Sequence, residues 1–444
     1  MKKVAVISLG CPKNQVDTEV MLGLLKATGK VVFVDNLKDA DIIIVNTCGF
    51  IQPAKEESID EILNAIEEKN ENPEKKVVVA GCLYQRYKEE LKKELPEVDI
   101  FIGVDEITKV AEKILNQKIA VQKPYLLRQI TTPPHIAYLK ISEGCSNNCS
   151  YCAIPIIRGN LKSRPIEELV EEAKKLSDQG VKELYVIAQD TTAYLYDKGD
   201  KEGLLKLLEE LEKVEGIEWI RLMYTYPTHI SDSLIDFVAN SEKVLKYFDV
   251  PFQHINNKVL ASMGRKYTRK GVEELIDKLR KRIKDVTIRT TFIVGFPTEG
   301  EREFEELLSF IKDVQFDWAG FFKYSREEGT AAYPLGDLEE EVKESRLNLI
   351  EEVQYSIYEK KHLELVGKEF ELIVDTASHE MPGFMEARSY RNAYEIDGLV
   401  FLKGNFKPGS IVKAKITGLA SNVDLIAETT DEKTTNSLKN LYIP

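Results

Sequence analysis

The chain has no apolar run approaching the roughly 18 residues needed to cross a bilayer, so no membrane span is expected. Cysteine is scarce, six in 444 residues, too few for the disulfide framework that staples secreted domains. Where cysteines do cluster, neither a histidine nor a fourth cysteine stands at zinc-finger spacing, which argues against a closed zinc site. No His or Asn motif accompanies a cysteine as it would a thiol nucleophile. Low-complexity segments are absent. Basic charge is in deficit, 61 Lys and Arg against 74 Asp and Glu for a net −13. That disfavours a surface built mainly for a polyanion and suits a basic protein partner, although solubility alone also explains an acidic surface. The opening Met1-Lys2-Lys3 and the apolar Val4 to Leu9 before Gly10-Cys11 have the outline of a lipoprotein signal. The apolar stretch is too short and Pro12-Lys13 follow at once, so it reads as a buried first strand of a cytoplasmic protein.

The cysteines that are present carry a pattern. Cys145, Cys149 and Cys152 form a C-x3-C-x2-C run. Three thiolates hold three irons of a 4Fe-4S cluster and leave the fourth iron open, and core packing imposes no such spacing. The other three are scattered: Cys11 follows Ser8-Leu9-Gly10, Cys48 follows Asn46-Thr47, and Cys82 follows Gly81. Each stands just past the carboxyl end of an expected strand, on the rim where open α/β sheets bind their ligands. The three are expected to converge and hold a second cluster, again with one open iron.

The organisation is α/β. Residues 1–120 alternate β-branched runs (Val4–Ile7, Ile42–Val45, Val77–Ala80) with helical stretches at 16–28, 53–68 and 83–94. Such unbroken runs mark strands buried on both faces, hence an open parallel α/β domain. Residues 121–134, with Pro124 and Thr131-Thr132-Pro133-Pro134, read as a linker. Residues 135–362 show six βα repeats, the pattern of a partial (βα)6 TIM-like barrel open at one side, with its chemistry on the loops after the strands. From 363 to 430 the pattern changes to short alternating strands punctuated by Gly383, Gly398, Pro408-Gly409 and Gly418, which suggests a small antiparallel, OB-like β-barrel. Residues 431–444 are expected to form a tail.

The cysteine run, with an aromatic residue before its last member, resembles the signature of the radical S-adenosylmethionine (SAM) superfamily. The three-part layout resembles, over nearly the full length, the methylthiotransferases with a terminal TRAM domain. Gly10-Cys11-Pro12-Lys13-Asn14 with Val16-Asp17-Thr18-Glu19, Ile141-Ser142-Glu143-Gly144-Cys145, Cys152-Ala153-Ile154-Pro155, Ala188-Gln189-Asp190-Thr191-Thr192 and Thr291-Phe292-Ile293-Val294-Gly295-Phe296-Pro297 are similar to the ribosomal-protein branch, the RimO-type enzymes. The transfer-RNA branch carries a different residue pair between Cys and Asn. Gln15 departs from the pattern, in a place where an apolar residue is expected.

The resemblance implies methylthiolation of the β-carbon of an aspartate in small-subunit ribosomal protein twelve, with two 4Fe-4S clusters, SAM as co-substrate, a cluster-bound sulfur donor and a low-potential electron donor such as flavodoxin or ferredoxin. By position, Cys145, Cys149 and Cys152 ligate the SAM cluster, and Cys11, Cys48 and Cys82 the auxiliary one. Tyr151, Gln189, Asp190, Gln253, Arg289 and Gly295 are the expected SAM contacts, and His254 either lines the cavity or is structural. No side chain is assigned as a catalytic base or nucleophile. The alternatives are a transfer-RNA methylthiotransferase, which calls for a basic stripe, and a non-catalytic iron-sulfur electron carrier. Between Leu363 and Glu428 there are ten acidic and seven basic residues, so the terminal barrel is expected to dock a basic protein through Glu380, Glu386, Glu395 and Asp397.

Overall fold

The computed structural model describes residues 1–119 and 121–430. Ala120 and the expected tail, 431–444, lie outside the described residues.

Five parallel strands, β1 (Lys2–Ser8), β2 (Val31–Phe33), β3 (Ile42–Thr47), β4 (Lys76–Gly81) and β5 (Ile100–Ile102), form the first sheet in the order β2-β1-β3-β4-β5. Successive side chains of a strand point to opposite faces. Thus Ile42 and Ile44 pack under helix α1 (Pro12–Ala27) with Val20, Met21 and Leu24, while Ile43 and Val45 meet Ile62, Ala65 and Ile66 of α2 (Gln52–Glu71). Both faces are covered, as the unbroken apolar runs require. The helix expected over 83–94 is instead two, α3 (Cys82–Arg86) and a second over Lys88–Glu94, parted at Tyr87. No Gly or Pro marks that break in the sequence.

The central sheet has six parallel strands, β6 (Ile136–Lys140), β9 (Glu183–Ile187), β10 (Trp219–Leu222), β11 (Val244–Asp249), β12 (Thr287–Val294) and β13 (Trp318–Lys323). They run in sequence order from β6 to β13, and the barrel is open between those two edges. A two-stranded ribbon, β7 (Ser142–Glu143) and β8 (Lys162–Ser163), brackets the cysteine loop.

The third sheet closes into a barrel, β14 (Glu369–Ala377), β15 (Phe384–Arg388), β16 (Val400–Lys403), β18 (Leu425–Thr429) and β17 (Ile411–Leu419). Four of its five pairings are antiparallel; β16 and β18 pair parallel. The expected small antiparallel barrel is present, with β16 and β18 its one parallel pair; β18 has no counterpart among the strands expected from the sequence.

One apolar cluster joins all three parts: Val16 of α1, Tyr138, Tyr185, Trp219, Tyr247 and Trp318 inside the central barrel, and Ile373 and Ala393 of the terminal one. Glu183, Trp219 and Trp318 begin their strands, so this cluster fills the amino-terminal end of the lumen. Polar contacts seal that floor. Arg388 is fully buried between Glu183 at 2.7 Å and Asp375 at 2.6 Å, Arg221 donates to Glu183 at 3.0 Å, and Tyr247 donates to Asp397 at 2.7 Å. Asp397 therefore cannot serve as a docking charge. Its carboxylate is about 2% exposed and faces Arg289 at 3.3 Å, because the loop that bears it plugs the lumen. Glu380 and Glu395 are exposed, and Glu386 is half-buried.

Candidate active site

Cys11, Cys48 and Cys82 follow the carboxyl ends of β1, β3 and β4, three neighbours in one sheet. Two glycines make the gathering possible. Gly10 has φ +84, and a Cβ on it would stand 2.9 Å from Cys48 Sγ; Gly81 has φ +95, and a Cβ there would stand 2.3 Å from Asn46 Oδ1. Only glycine combines that backbone with that space. Asn14 ties the rim by donating to Leu9 O at 2.8 Å, and Ser58 Oγ donates to Cys48 O at 2.9 Å. All three thiols are free. Burial is the largest influence on Cys11 and opposes ionisation, but Lys13 and Arg158, with the backbone N–H groups of Asn14 and Lys13, outweigh it and lower its pKa. Burial raises Cys48, and pushes Cys82 up to about 12 despite Arg158 Nη2 at 3.2 Å from its Sγ.

The second set lies on one loop after β7. Gly144 turns it with φ +73, where a Cβ would strike Asn160 O at 2.3 Å. Hydrogen bonds to neighbouring loops fix its course: Ser150 N to Met263 O at 2.9 Å, Ala332 N to Ser150 O at 2.7 Å, and Cys145 N to Gly159 O at 3.0 Å. Burial raises Cys145 to about 11 and Cys152 to about 12. Arg265 Nη1 reaches Cys149 Sγ at 3.4 Å. Among the described residues no group of Cys, His, Asp or Glu is drawn close enough to hold a single metal ion. A cluster bound through three separate irons asks for thiolates set wider apart. Each set fits one: three free thiols, glycine-shaped space and a nearby guanidinium to offset the charge that iron-bound thiolates carry.

Between the sets runs a buried ionic bridge. Arg158 contacts Asp17 at 3.0 Å and Glu143 at 2.9 Å. Lys140 pairs with the same Asp17 and reaches Glu143 at 2.8 Å. Burial, the largest influence on Glu143, would raise its pKa, but Lys140 and Arg158 hold the carboxyl well below the usual carboxylate range. This bridge was missed in the sequence. Lys140, Glu143 and Arg158 flank the cysteine loop but Asp17 lies more than 120 residues away, and nothing in the motifs that contain Asp17 and Glu143 shows that the two share a cation.

The expected SAM contacts divide into two groups. Gln189, just past the end of β9, donates to Glu143 at 3.1 Å, and its Oε1 is buried without a partner, an acceptor open to a ligand. Tyr151 is half-buried against Met263, Ile293, Phe296 and Tyr324. Gln253 has φ +69 and a backbone bridged to Phe292, and its side chain makes no hydrogen bond among the described residues. The remaining three are occupied by the protein itself. Asp190 accepts from Asn147 at 2.7 Å, Thr192 at 2.6 Å, Ala193 N at 3.1 Å and meets His229 at 2.9 Å. Arg289 is held by Asp249 at 2.9 Å and by Asp397. Gly295 gives its N–H to Glu299 at 2.7 Å, and a Cβ on it would strike Lys343. His254 is structural: it is fully buried, bonds Glu299 at 2.9 Å and accepts from Asn256 N at 3.0 Å. Gln15, the unexpected polar residue, donates to Thr131 Oγ1 at 2.9 Å and so pins α1 to the linker. A cavity of about 400 Å³ opens beside Cys11, with Gln15, Thr131 and Glu395 on its wall.

A parallel half-barrel whose cysteine loop stands at the carboxyl ends of its strands defines a radical SAM enzyme, and residues 139–311 match the radical SAM superfamily. Residues 3–103 match the uncharacterized protein family UPF0004, and residues 366–430 the TRAM domain. Solved structures share the fold at low identity. TsrM, a radical SAM methyltransferase from Kitasatospora setae, is 15% identical with a TM-score of 0.53, over 75% of this chain and 77% of its own. The cobalamin-dependent radical enzyme OxsB has a TM-score of 0.53 at 14% identity, over 80% and 58%. The ribosomal protein uS12 methylthiotransferase RimO of Aquifex aeolicus is 50% identical over 97% of this chain and 98% of its own length. Those of Sulfurihydrogenibium sp. and Acetivibrio thermocellus are 46% and 45% identical, over 96% and 97% of this chain and 99% of each relative. The chain belongs to the RimO family of methylthiotransferases.

Proposed function

We propose that this chain attaches a methylthio group to the β-carbon of an aspartate in ribosomal protein uS12, giving 3-methylthioaspartate. What carries the reading is full-length identity to uS12 methylthiotransferases, in a chain that holds two separate sets of three free cysteines joined by one ionic bridge. Two 4Fe-4S clusters and SAM, held at these two sites, would supply the sulfur-transfer and one-electron chemistry that an unactivated C–H bond requires. Cys145, Cys149 and Cys152 hold the SAM cluster, and Cys11, Cys48 and Cys82 the auxiliary cluster with its sulfur donor. Gln189 offers its open Oε1 to the SAM amine, and Tyr151 and Gln253 flank the remainder. Asp190, Arg289 and Gly295, expected as further SAM contacts, hold the strand-end loops around the site through Asn147, Asp249 and Glu299. The work divides among segments 1–120, 135–362 and 363–430, with 121–134 as the linker.

The partners of this reading are uS12, free or in the ribosome, and a low-potential electron donor such as flavodoxin or ferredoxin. No helix among the described residues is long and apolar enough to cross a membrane, and a ribosomal substrate implies a cytoplasmic location. The test is to incubate the reconstituted, reduced enzyme with SAM, sulfide and either uS12 or transfer RNA, and to record product masses. Gain of one methylthio group on uS12 alone is expected. Modification of transfer RNA alone would move the chain to the other branch, and absence of SAM cleavage would leave an electron carrier.

A further inference from the structure

Four cations, Lys13, Lys140, Arg158 and Arg265, are buried around the two cysteine sets, and a fifth, Arg289, is half-buried below them; all but Lys13 are engaged by the protein. Lys140 and Arg158 share Asp17 and Glu143. Arg289 lies between Asp249 and Asp397. Arg265 donates to Pro251 O at 2.6 Å and Tyr267 Oη at 2.6 Å. Lys13 differs. It is 8% exposed, yet no hydrogen bond or ion pair reaches its Nζ among the described residues. The ring of Tyr224 lies against it, its centroid 3.3 Å away, and the charges of Cys11, Asp249 and Glu143 bear on it from farther off.

That contact is fixed from both sides. Lys13 is the second residue of α1, and Cys11 caps the same helix. Tyr224 stands just past β10 with φ +59. Its N–H donates to Asp249 Oδ2 at 2.9 Å and its carbonyl accepts from Thr191 N at 2.9 Å. The ammonium is therefore held where the auxiliary rim meets the strand ends of the radical barrel. An aromatic face attracts a cation but satisfies none of its three N–H donors. Cys11, Asp249 and Glu143 draw on its charge, but none accepts a hydrogen bond from it, so a buried ammonium keeps donors open for an anionic ligand.

We propose that Lys13 is a substrate-binding and specificity residue, whose ammonium takes the carboxylate of the target aspartate and so sets its β-carbon between the two cysteine sets. This rests on the functional reading above. The aspartate carboxylate lies one bond from the carbon to be modified, so a cation at this boundary orients the reacting centre as well as selecting it. Asparagine, of nearly the same shape, lacks the charge.

The experiment compares wild-type, Lys13→Met and Lys13→Arg enzymes, all reconstituted with iron and sulfide. The probes are a uS12 peptide containing the target aspartate and the same peptide with asparagine there, read by binding affinity and by kcat/KM. Wild-type enzyme is expected to prefer aspartate on the order of 10- to 100-fold, the worth of a charged hydrogen bond. Lys13→Met should bind both peptides equally weakly with its iron content intact, and Lys13→Arg should regain part of the preference. An undiminished preference in Lys13→Met would overturn the proposal, and so would loss of iron from the Cys11 set, which would make Lys13 the counter-charge of that site. If wild-type enzyme modifies transfer RNA and neither uS12 nor its peptide, the functional reading itself fails, a result distinct from either.

Discussion

Cys145, Cys149 and Cys152 share one loop, whereas Cys11, Cys48 and Cys82 come from three strand ends of another sheet. The loop set is shaped by hydrogen bonds to adjoining loops at Met263, Gly159 and Ala332. The rim set is shaped by the sheet itself and by two glycines in the left-handed region. Burial raises two thiols of each set, Cys48 and Cys82 in the rim and Cys145 and Cys152 in the loop, and the difference lies in Cys11, where burial is outweighed by Lys13, Arg158 and two backbone N–H groups, which lower it. One site is thus built into a fold and the other into a turn, and Arg158, which follows the turn and touches Cys82, couples them.

The largest effects should come from emptying one set at a time. Cys145, Cys149 and Cys152 all changed to Ala should abolish 5'-deoxyadenosine formation yet leave methyl transfer to enzyme-bound sulfur. The matching change at Cys11, Cys48 and Cys82 should retain SAM cleavage and lose the methylthio product. Chromatographic assay of both small products separates the two outcomes.

Breaking the link between the sets should cost stability as well as activity. Arg158→Met leaves the buried Asp17 and the half-buried Glu143 with Lys140 as their shared cation, for about 3 kcal/mol in urea unfolding. Arg265→Met touches only the loop set and should disturb the Cys145 site while the Cys11 site keeps its iron. Equal damage to both sites from Arg265→Met would erase the distinction drawn here.

Acid should loosen the floor beneath both sets. Burial, the largest influence on Asp375, raises its pKa, but Arg388 and His135 outweigh it and leave it lowered. Burial likewise opposes Lys361 and Arg391 at Asp317, which is also lowered. A lowered carboxyl stabilises the fold above its unfolded pKa of about 3.9 and loses that contribution as pH falls through the folded value. Burial raises Asp397, so its sign is the reverse: its contribution is present in acid and lost as pH rises past the ordinary value. With two carboxyls against one, the terminal barrel should release below about pH 4. Both tryptophans of the chain, Trp219 and Trp318, lie in this floor, so intrinsic fluorescence reports its opening. The smallest effect expected is on docking: Glu380, Glu386 and Glu395 changed to Lys should slow association with uS12 by roughly tenfold or less at low salt and flatten its salt dependence.

The same comparison shows what the sequence makes legible. The loop set has a local spacing, readable at once. The rim set has none, and it was reached only because each cysteine follows a β-branched run that must end at a sheet edge. The bridge and the floor have neither signal. Asp17 meets Lys140 across 123 residues and Glu183 meets Arg388 across more than 200, and nothing near either marks its partner. Asp397 stands between Ile396 and Gly398 in a turn that carries no local sign of burial; the residues that bury it, Tyr247 and Arg289, come from another part of the chain. The strands β2 and β5, of three residues each, are too short to show a period.

Iron and acid-labile sulfide, counted per chain in reconstituted wild-type enzyme and in the two triple-Ala variants, test the two-site account most directly. It predicts about eight irons for the wild type and about four for each variant, two clusters of four each lost independently. A full complement in either variant, or four irons in the wild type, would contradict it.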